Sequence, residues 1–182
     1  MSGFSSSTRG NIILTGLTRV YFGSTPALIG ATQGGFTFAP NPSFFTPEID
    51  GVTTEVEGLP TIEAYEPTIT LTAIEVTTAR LSQLMRNIAF TGSAPATLTP
   101  KPTLEAMTLS TPDNYLRSVE VQSQQGAALF FSVQLPVCRA EAEITGQARD
   151  TWKLNLTLTG VAPVASPRDA GFRLLTRTAW LV

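Results

Sequence analysis

Apolar and polar residues alternate strictly from Thr68 to Ala73, with Ile69, Leu71 and Ala73 pointing one way and Thr68, Thr70 and Thr72 the other. A period of two predicts a strand with one buried face. Trp152, Leu154, Leu156 and Leu158 alternate with Lys153, Asn155, Thr157 and Thr159 in the same manner. This is the clearest two-faced strand in the chain, and Trp152 falls on its apolar side. Residues 127–138 follow Gly126 as a nearly continuous apolar run and predict the most central strand. Residues 119–122 and 141–145 flank it as shorter β segments. Residues 12–22 are β-prone but interrupted by Gly16, and residues 23–26, Gly-Ser-Thr-Pro, read as a turn. Residues 27–29 and 35–39 read as short strands around a Gly/Gln turn, and residues 172–180 as a final strand or arm.

One helix is predicted, over residues 77–89. Thr77 or Thr78 caps it, Leu81, Leu84, Met85 and Ile88 recur at helical spacing, and Gly92 lies just past its end. Its polar face carries Arg80, Gln83, Arg86 and Asn87, so it is expected to pack on a sheet. Residues 93–103 are rich in Pro, Ala and Thr and read as a connecting loop. Residues 40–60 differ from their surroundings: they hold Pro40, Pro42, Pro47 and Pro60, the adjacent Phe44 and Phe45, and the turn pair Asp50-Gly51. They read as a long hairpin or loop with arms near 44–49 and 52–57. Structureless loops beyond ~12–15 residues are usually functional or disordered. Many short strands, intervening turns and one helix predict a mainly β fold, a two-sheet β-sandwich or distorted barrel with one flanking α-helix. The expected organisation is a single domain over 1–182, with an N-terminal arm (1–10), a protruding loop (40–60) and a C-terminal strand or arm (165–182).

Composition sharpens the picture. Only 14% of the 182 residues are charged, against ~25% in an average domain. Either Thr and Ser supply the polar surface, or neighbouring subunits cover part of it. The formal net charge of −2 gives no basic field for nucleic acid. Residues 1–8 are Ser-rich without a basic leader, and no run approaches the ~20 apolar residues of a span, so neither a secretory signal nor membrane insertion is expected. The lone Cys138, in an apolar strand, reads as a buried small hydrophobe.

The chain has no histidine. That removes Ser-His-Asp and Cys-His pairs, which need an imidazole to take the proton, and most zinc and iron sites. The lysines, Lys101 and Lys153, sit in a Pro-rich loop and on the wet face of a strand, neither of which activates an amine. The Gly-rich stretch 30–35 lacks the residues of a phosphate loop. The acidic pairs Glu55/Glu57 and Glu141/Glu143 read as solvated strand faces, not as glycosidase carboxylates, which face each other across a cleft. Neither an enzyme nor a cofactor is expected. Charge is unevenly spread, however. No Lys or Arg lies between Arg19 and Arg80, an interval holding Glu48, Asp50, Glu55, Glu57, Glu63, Glu66 and Glu75, whereas Arg168, Arg173 and Arg177 gather after Pro167.

The order of these elements resembles a known family. A Ser-rich arm leads into Arg19-Val-Tyr-Phe-Gly23, then Gly30-Ala-Thr-Gln-Gly34-Gly35-Phe-Thr-Phe38, then an acidic Pro/Gly loop ending Val56-Glu-Gly-Leu-Pro60. The strand Glu66-Pro-Thr-Ile-Thr-Leu-Thr-Ala73 then runs straight into the helix. This is similar to the major tail tube protein of siphophages, best over residues 10–90. The resemblance implies a β-sandwich with a flanking helix. It also implies hexameric rings stacked through a long loop and terminal arms, with an acidic lumen through which DNA passes without specific binding. Implied partners are other copies of the chain, the tape measure, the terminator and the distal tail protein. The implied location is the virion, after synthesis in the host cytoplasm. The assembly residues expected on this basis are Phe44, Phe45, Glu48, Asp50, Glu55 and Glu57 on the loop and Arg168, Arg173 and Arg177 at the other end of the subunit. In one version these charges pair between rings; in the other the acids line the lumen. The alternatives are another tail component of related fold, or a monomeric β-sandwich ligand-binding module, for which exposed aromatics on a strand face would speak.

Overall fold

The structure is a computed structural model, and it describes residues 18–23, 27–48, 50, 57–75, 81, 84, 88–91, 97–100, 116–125, 129–146, 152–163, 165–179 and 181. The described elements are the strands β1 (Thr18–Phe22), β2 (Ala27–Leu28), β3 (Thr32–Ala39), β4 (Pro42–Phe45), β5 (Thr61–Tyr65) and β6 (Thr68–Ala73). They continue as β7 (Ile88–Thr91), β8 (Thr97–Pro100), β9 (Leu116–Gln125), β10 (Leu129–Thr145), β11 (Lys153–Gly160) and β12 (Arg173–Arg177). The protein is mainly β, and every pairing is antiparallel.

Eight strands form one continuous ladder, β2-β1-β9-β10-β11-β6-β3, with β12 also on β10. β10 is the pivot. Its first part, Leu129–Cys138, pairs with β9, and its last part, Cys138–Thr145, pairs with β11. Seventeen residues thus serve two layers, β2-β1-β9-β10-β12 and β10-β11-β6-β3. The sequence reading splits this run into residues 127–138 and 141–145; the structure makes it one strand. Pro136, which lacks an N–H, sits where the ladder steps from Leu135↔Val119 to Val137↔Arg117, opposite Ser118 in a left-handed conformation (φ 55°).

Cross-strand partners share a face, so the inner rows can be read from the register. Val20, Val121 and Val133 make one row of the first layer. Ile69, Leu158 and Ala140, and Leu71 with Leu156, make rows of the second. All of them, with Cys138, belong to one buried cluster. Each buried Leu, Ile or Val contributes roughly 1.5–3 kcal/mol relative to exposure. The two layers therefore face each other across a common core, a sandwich-like arrangement, and β1 approaches β3 where the layers meet again.

Three sequence-based expectations change. Gly34 and Gly35 (φ 80° and 78°) do not turn the chain; they form a bulge inside β3, which resumes its pairing with β6 at Phe36. Residues 97–100 are strand, not loop, paired with β7, and the alternation of Thr97, Leu98 and Thr99 suits a ribbon better than the flanking prolines suggest. β7 starts at Ile88, so the helix cannot reach residue 89. Leu81 and Leu84 are helical, and Leu84 is buried at 1% exposure within the core. The rest of the predicted helix before Ile88, including Met85, lies outside the described residues, as does the predicted N-terminal arm.

Candidate functional site

β3 and β6 do not end where the sandwich ends. β4 follows β3 after two residues, β5 precedes β6 by two, and β4 pairs with β5. The same hairpin therefore continues outward as a two-stranded arm. The arm's strands are Pro42–Phe45 and Thr61–Tyr65, farther from the tip than the segments near 44–49 and 52–57 that the turn pair Asp50-Gly51 suggests.

The junction between sandwich and arm is braced by local chemistry. Asn41 adopts a left-handed conformation (φ 41°), which asparagine tolerates better than most residues. Its carbonyl accepts the Glu66 N–H at 3.2 Å. Its side-chain amide donates to the Glu66 carbonyl at 3.0 Å and to the Thr68 hydroxyl at 3.1 Å. The buried Pro67 accepts the Gly160 N–H through its carbonyl at 2.7 Å, tying the hinge to β11. Phe172, just ahead of β12, packs between Phe38 (centroids 5.3 Å) and Tyr65 (5.7 Å, edge-on). Such pairs add ~0.5–1.5 kcal/mol beyond their area. The arm is thus fixed at its root.

Beyond the root nothing among the described residues covers it. Every residue of β4 and β5 is exposed. Phe44 is 59% and Phe45 55% exposed, and Ile62, the ladder partner of Phe44, is exposed as well. Phe44 and Ile62 share one face of the ribbon and Phe45, the next residue on β4, takes the other, so the arm presents apolar side chains on both faces, as suits an interaction site.

Of the nine residues singled out from the sequence, Phe44 and Phe45 lie on β4, and Glu48, Asp50 and Glu57 are exposed toward the tip. Glu55 lies outside the described residues. The arginines do not gather in one place. Arg173 follows Phe172, which stacks on the root of the arm, and it lies 3.8 Å from Asp169. Arg168 is exposed in the turn ahead of it. Arg177 makes a two-pronged ion pair with Glu120 of β9, Nε to Oε1 at 2.5 Å and Nη2 to Oε2 at 2.7 Å. Through Gln134 the register sets Arg173, not Arg177, in line with Glu120; Arg177 lies four residues further along the same face of β12 and its long side chain reaches back to the carboxylate.

Sequence reasoning missed Glu120. It is buried on the face of β9 opposite Val119 and Val121, together with Gln122. Burial alone would push its carboxyl up, but hydrogen bonds, foremost from Arg177, hold it below the usual glutamate value, and Glu120 in turn raises Arg177. Gln122 donates to Glu120 at 3.1 Å and accepts the Leu181 N–H at 3.0 Å, so the chain after β12 is held to the same polar row. No sequence signal pairs residues 120 and 177; they share a face only once β12 is laid beside β10.

Trp152 also departs from expectation. It keeps the inner-face alternation of Leu154, Leu156 and Leu158 but precedes the first rung of β11, and it is 71% exposed, lying over Gly146. Among the described residues no group of three Asp, Glu or Cys side chains is placed to hold a metal ion, and no helix is long and apolar enough to cross a membrane.

No protein-family model matches the chain, and a search of the curated proteins finds no match.

Proposed function

We propose that the chain is a structural subunit of a bacteriophage tail tube, assembling into stacked, hexameric rings that form a hollow conduit for DNA. The single observation that carries this reading is the anchored, fully exposed arm with Phe44, Phe45 and Ile62 outward. An apolar ribbon rigidly rooted on a sandwich suits a building block that meets its neighbours through it. The element order that resembles siphophage tube proteins supplies the kind of assembly. On this reading the partners are other copies of the chain and the tape measure, terminator and distal tail proteins. DNA is a passenger, and the protein ends in the virion after synthesis in the host cytoplasm.

The test is negative-stain microscopy with sedimentation velocity on the purified protein over a concentration series. Long hollow tubes are expected, and Phe44→Ser/Phe45→Ser should abolish them while leaving the circular dichroism spectrum unchanged. Closed single rings would instead favour another tail component of related fold. A second reading, a monomeric ligand-binding module, draws on the exposed Trp152. Compact monomers at every concentration, with Trp152 fluorescence responding to oligosaccharides, would select it.

A further inference from the structure

The outer face of the layer β2-β1-β9-β10-β12 is polar, yet it is buried. Tyr21 of β1 lies opposite Glu120 of β9, and Glu120 lies opposite Gln134 of β10. Glu120 and Gln122 are buried, and so is Ser132, the ladder partner of Gln122. Residues beyond β12 help to close this face. The chain leaves β12 at Arg177, on one side of β10. By Leu181 it has reached β9 on the other side, where the Leu181 N–H donates to the Gln122 Oε1 at 3.0 Å. Residues 178–181 therefore cross β10 as a strap.

The described residues of the strap bring little apolar packing: Thr178 and Ala179 are exposed and Leu181 is half-buried. Beneath them a cavity of about 210 Å³ is lined by Leu181 and Arg177 and by Tyr21, Ser118, Glu120 and Gln134. The buried Tyr21 hydroxyl has no hydrogen-bond partner among the described residues, a cost that water entering the cavity would relieve. Two polar ties hold the strap instead, and both run through Glu120. Arg177, at the root of the strap, makes the two-pronged ion pair. Gln122 donates its amide to Glu120 at 3.1 Å, which leaves its carbonyl oxygen turned to the Leu181 N–H. A carboxylate only accepts, so its charge dictates which way Gln122 points.

We infer that residues 178–181 form an acid-released strap: it closes over β10 while the Glu120 carboxylate holds Arg177 and orients Gln122, and it opens when that carboxylate takes a proton. The neutral acid exchanges a charge-assisted pair for weaker hydrogen bonds. Arg177, with 32% of its side chain exposed against 3% for Glu120, then recovers hydration by swinging outward and takes the root of the strap with it. A protonated carboxyl also carries a donor of its own, so Gln122 is no longer bound to offer its N–H there. Among the described residues, the other charged or titratable groups on this face are Tyr21 and Arg19 of β1 and Arg173 of β12. Asp169, beside Arg173 at 3.8 Å, accepts the Gly171 N–H. Tyrosine and arginine keep their protons throughout the acid range. Burial raises the Glu120 carboxyl, but its hydrogen bonds, foremost from Arg177, leave it below the ordinary value of 4.5 while the strap is closed. The strap is therefore fully held above that value and is let go as pH falls through the lower, closed-state one. It belongs to a single subunit and works whether or not subunits assemble.

Trp180 falls between Ala179 and Leu181, so Trp152→Phe leaves the strap with the sole emitter of the chain. In this background, acrylamide quenching of Trp180 and the far-UV circular dichroism are followed together from neutral pH into the acid range, on the full chain kept monomeric by dilution. Quenching should rise several-fold before the far-UV signal changes. With Glu120→Gln the rise should already be present at neutral pH, and acid should add nothing until the chain unfolds. Gln122→Ala removes the oxygen that receives Leu181 and leaves the ion pair intact. It should raise quenching at neutral pH with the far-UV spectrum unchanged, and it decides the matter with the parent titration if Glu120→Gln does not fold. Quenching that moves only together with the far-UV signal would overturn the strap. So would a folded Glu120→Gln or Gln122→Ala in which Trp180 stays as protected as in the parent.

Discussion

Arg177 and Glu120 make the sharpest quantitative prediction, because their exposures differ. The Glu120 side chain is 3% exposed and that of Arg177 32%. Replacing Arg177 with Met strands a carboxylate inside the protein; replacing Glu120 with Gln strands a guanidinium that can turn toward water. Breaking a buried pair by removing one partner costs ~3–5 kcal/mol, and a hydrogen bond to a charged group contributes ~1.5–3 kcal/mol. Arg177→Met should therefore lower stability by about 3 kcal/mol. Glu120→Gln should lower it by only ~1–2 kcal/mol, since the amide still accepts one hydrogen bond and Arg177 recovers hydration. The double variant should fall short of the sum by ~1–2 kcal/mol. The assay is equilibrium urea unfolding at a concentration that keeps the protein monomeric. In a thermal scan the larger effect corresponds to roughly 6–12 °C for a chain of this size. The carboxyl is held below its ordinary value of 4.5 in the folded state, so its stabilisation is fully present above that value. It is lost as pH falls through the depressed folded-state value, and Glu120→Gln should flatten this acid limb. Equal costs for the two single variants, or additivity within ~0.3 kcal/mol, would refute the reasoning. A variant Arg177→Met that blocks assembly without changing monomer stability would return that arginine to the subunit interface.

Three further outcomes are expected. Leu84→Ala should cost ~2–5 kcal/mol by chemical denaturation, because the side chain is buried in the core. Gly160→Ala should cost ~1–3 kcal/mol, since its Cβ would come within 2.7 Å of the Gly171 carbonyl oxygen and 2.8 Å of Pro67 where the arm's hinge is tied; an unfolding midpoint unchanged from the parent would mean that hinge is loose. With Arg177 engaged within its own subunit and large apolar side chains exposed on the arm, polymerisation followed by light scattering should proceed as well in molar as in dilute salt. Strong inhibition by salt would favour charge pairing between rings.

The period-two segments were legible because each has one dry and one wet face. Lys153–Gly160 and Thr68–Ala73 carry that alternation openly, and the structure pairs them side by side. Cys138 was legible too, as an apolar residue in an apolar strand. What could not be read is whatever depends on partners distant in sequence. β10 is one strand because β9 and β11 hold its two parts, whereas the continuous apolar run by itself ends at Cys138. Glu120 reads as one more wet-face acid until β12 is laid beside β10. Trp152 was assigned to the correct face, but alternation says nothing about whether the opposite layer reaches that far. The arm was legible as an anomaly, from its prolines and paired phenylalanines, but the strands that build it begin at Pro42 and Thr61, set by the hairpin below and not by the turn pair above.

The placement of β10 has a consequence for how the chain is made. β3 and β6 can zip together as soon as both have left the ribosome, but β1 must wait for β9: Val20 pairs with Val121, a gap of 101 residues. β6 in turn has no second neighbour until β11 emerges, and β11 is aligned by β10. Through most of translation, then, the nascent polypeptide presents half-paired strands with their apolar rows uncovered, alongside an arm whose phenylalanines stay in water even after folding is complete. Closing contacts over such separations is slow. On the assembly proposed above, folding of the subunit and its first encounter with another copy would compete for the same sticky surfaces, and the order of synthesis leaves the strand that resolves the competition until the last third of the chain.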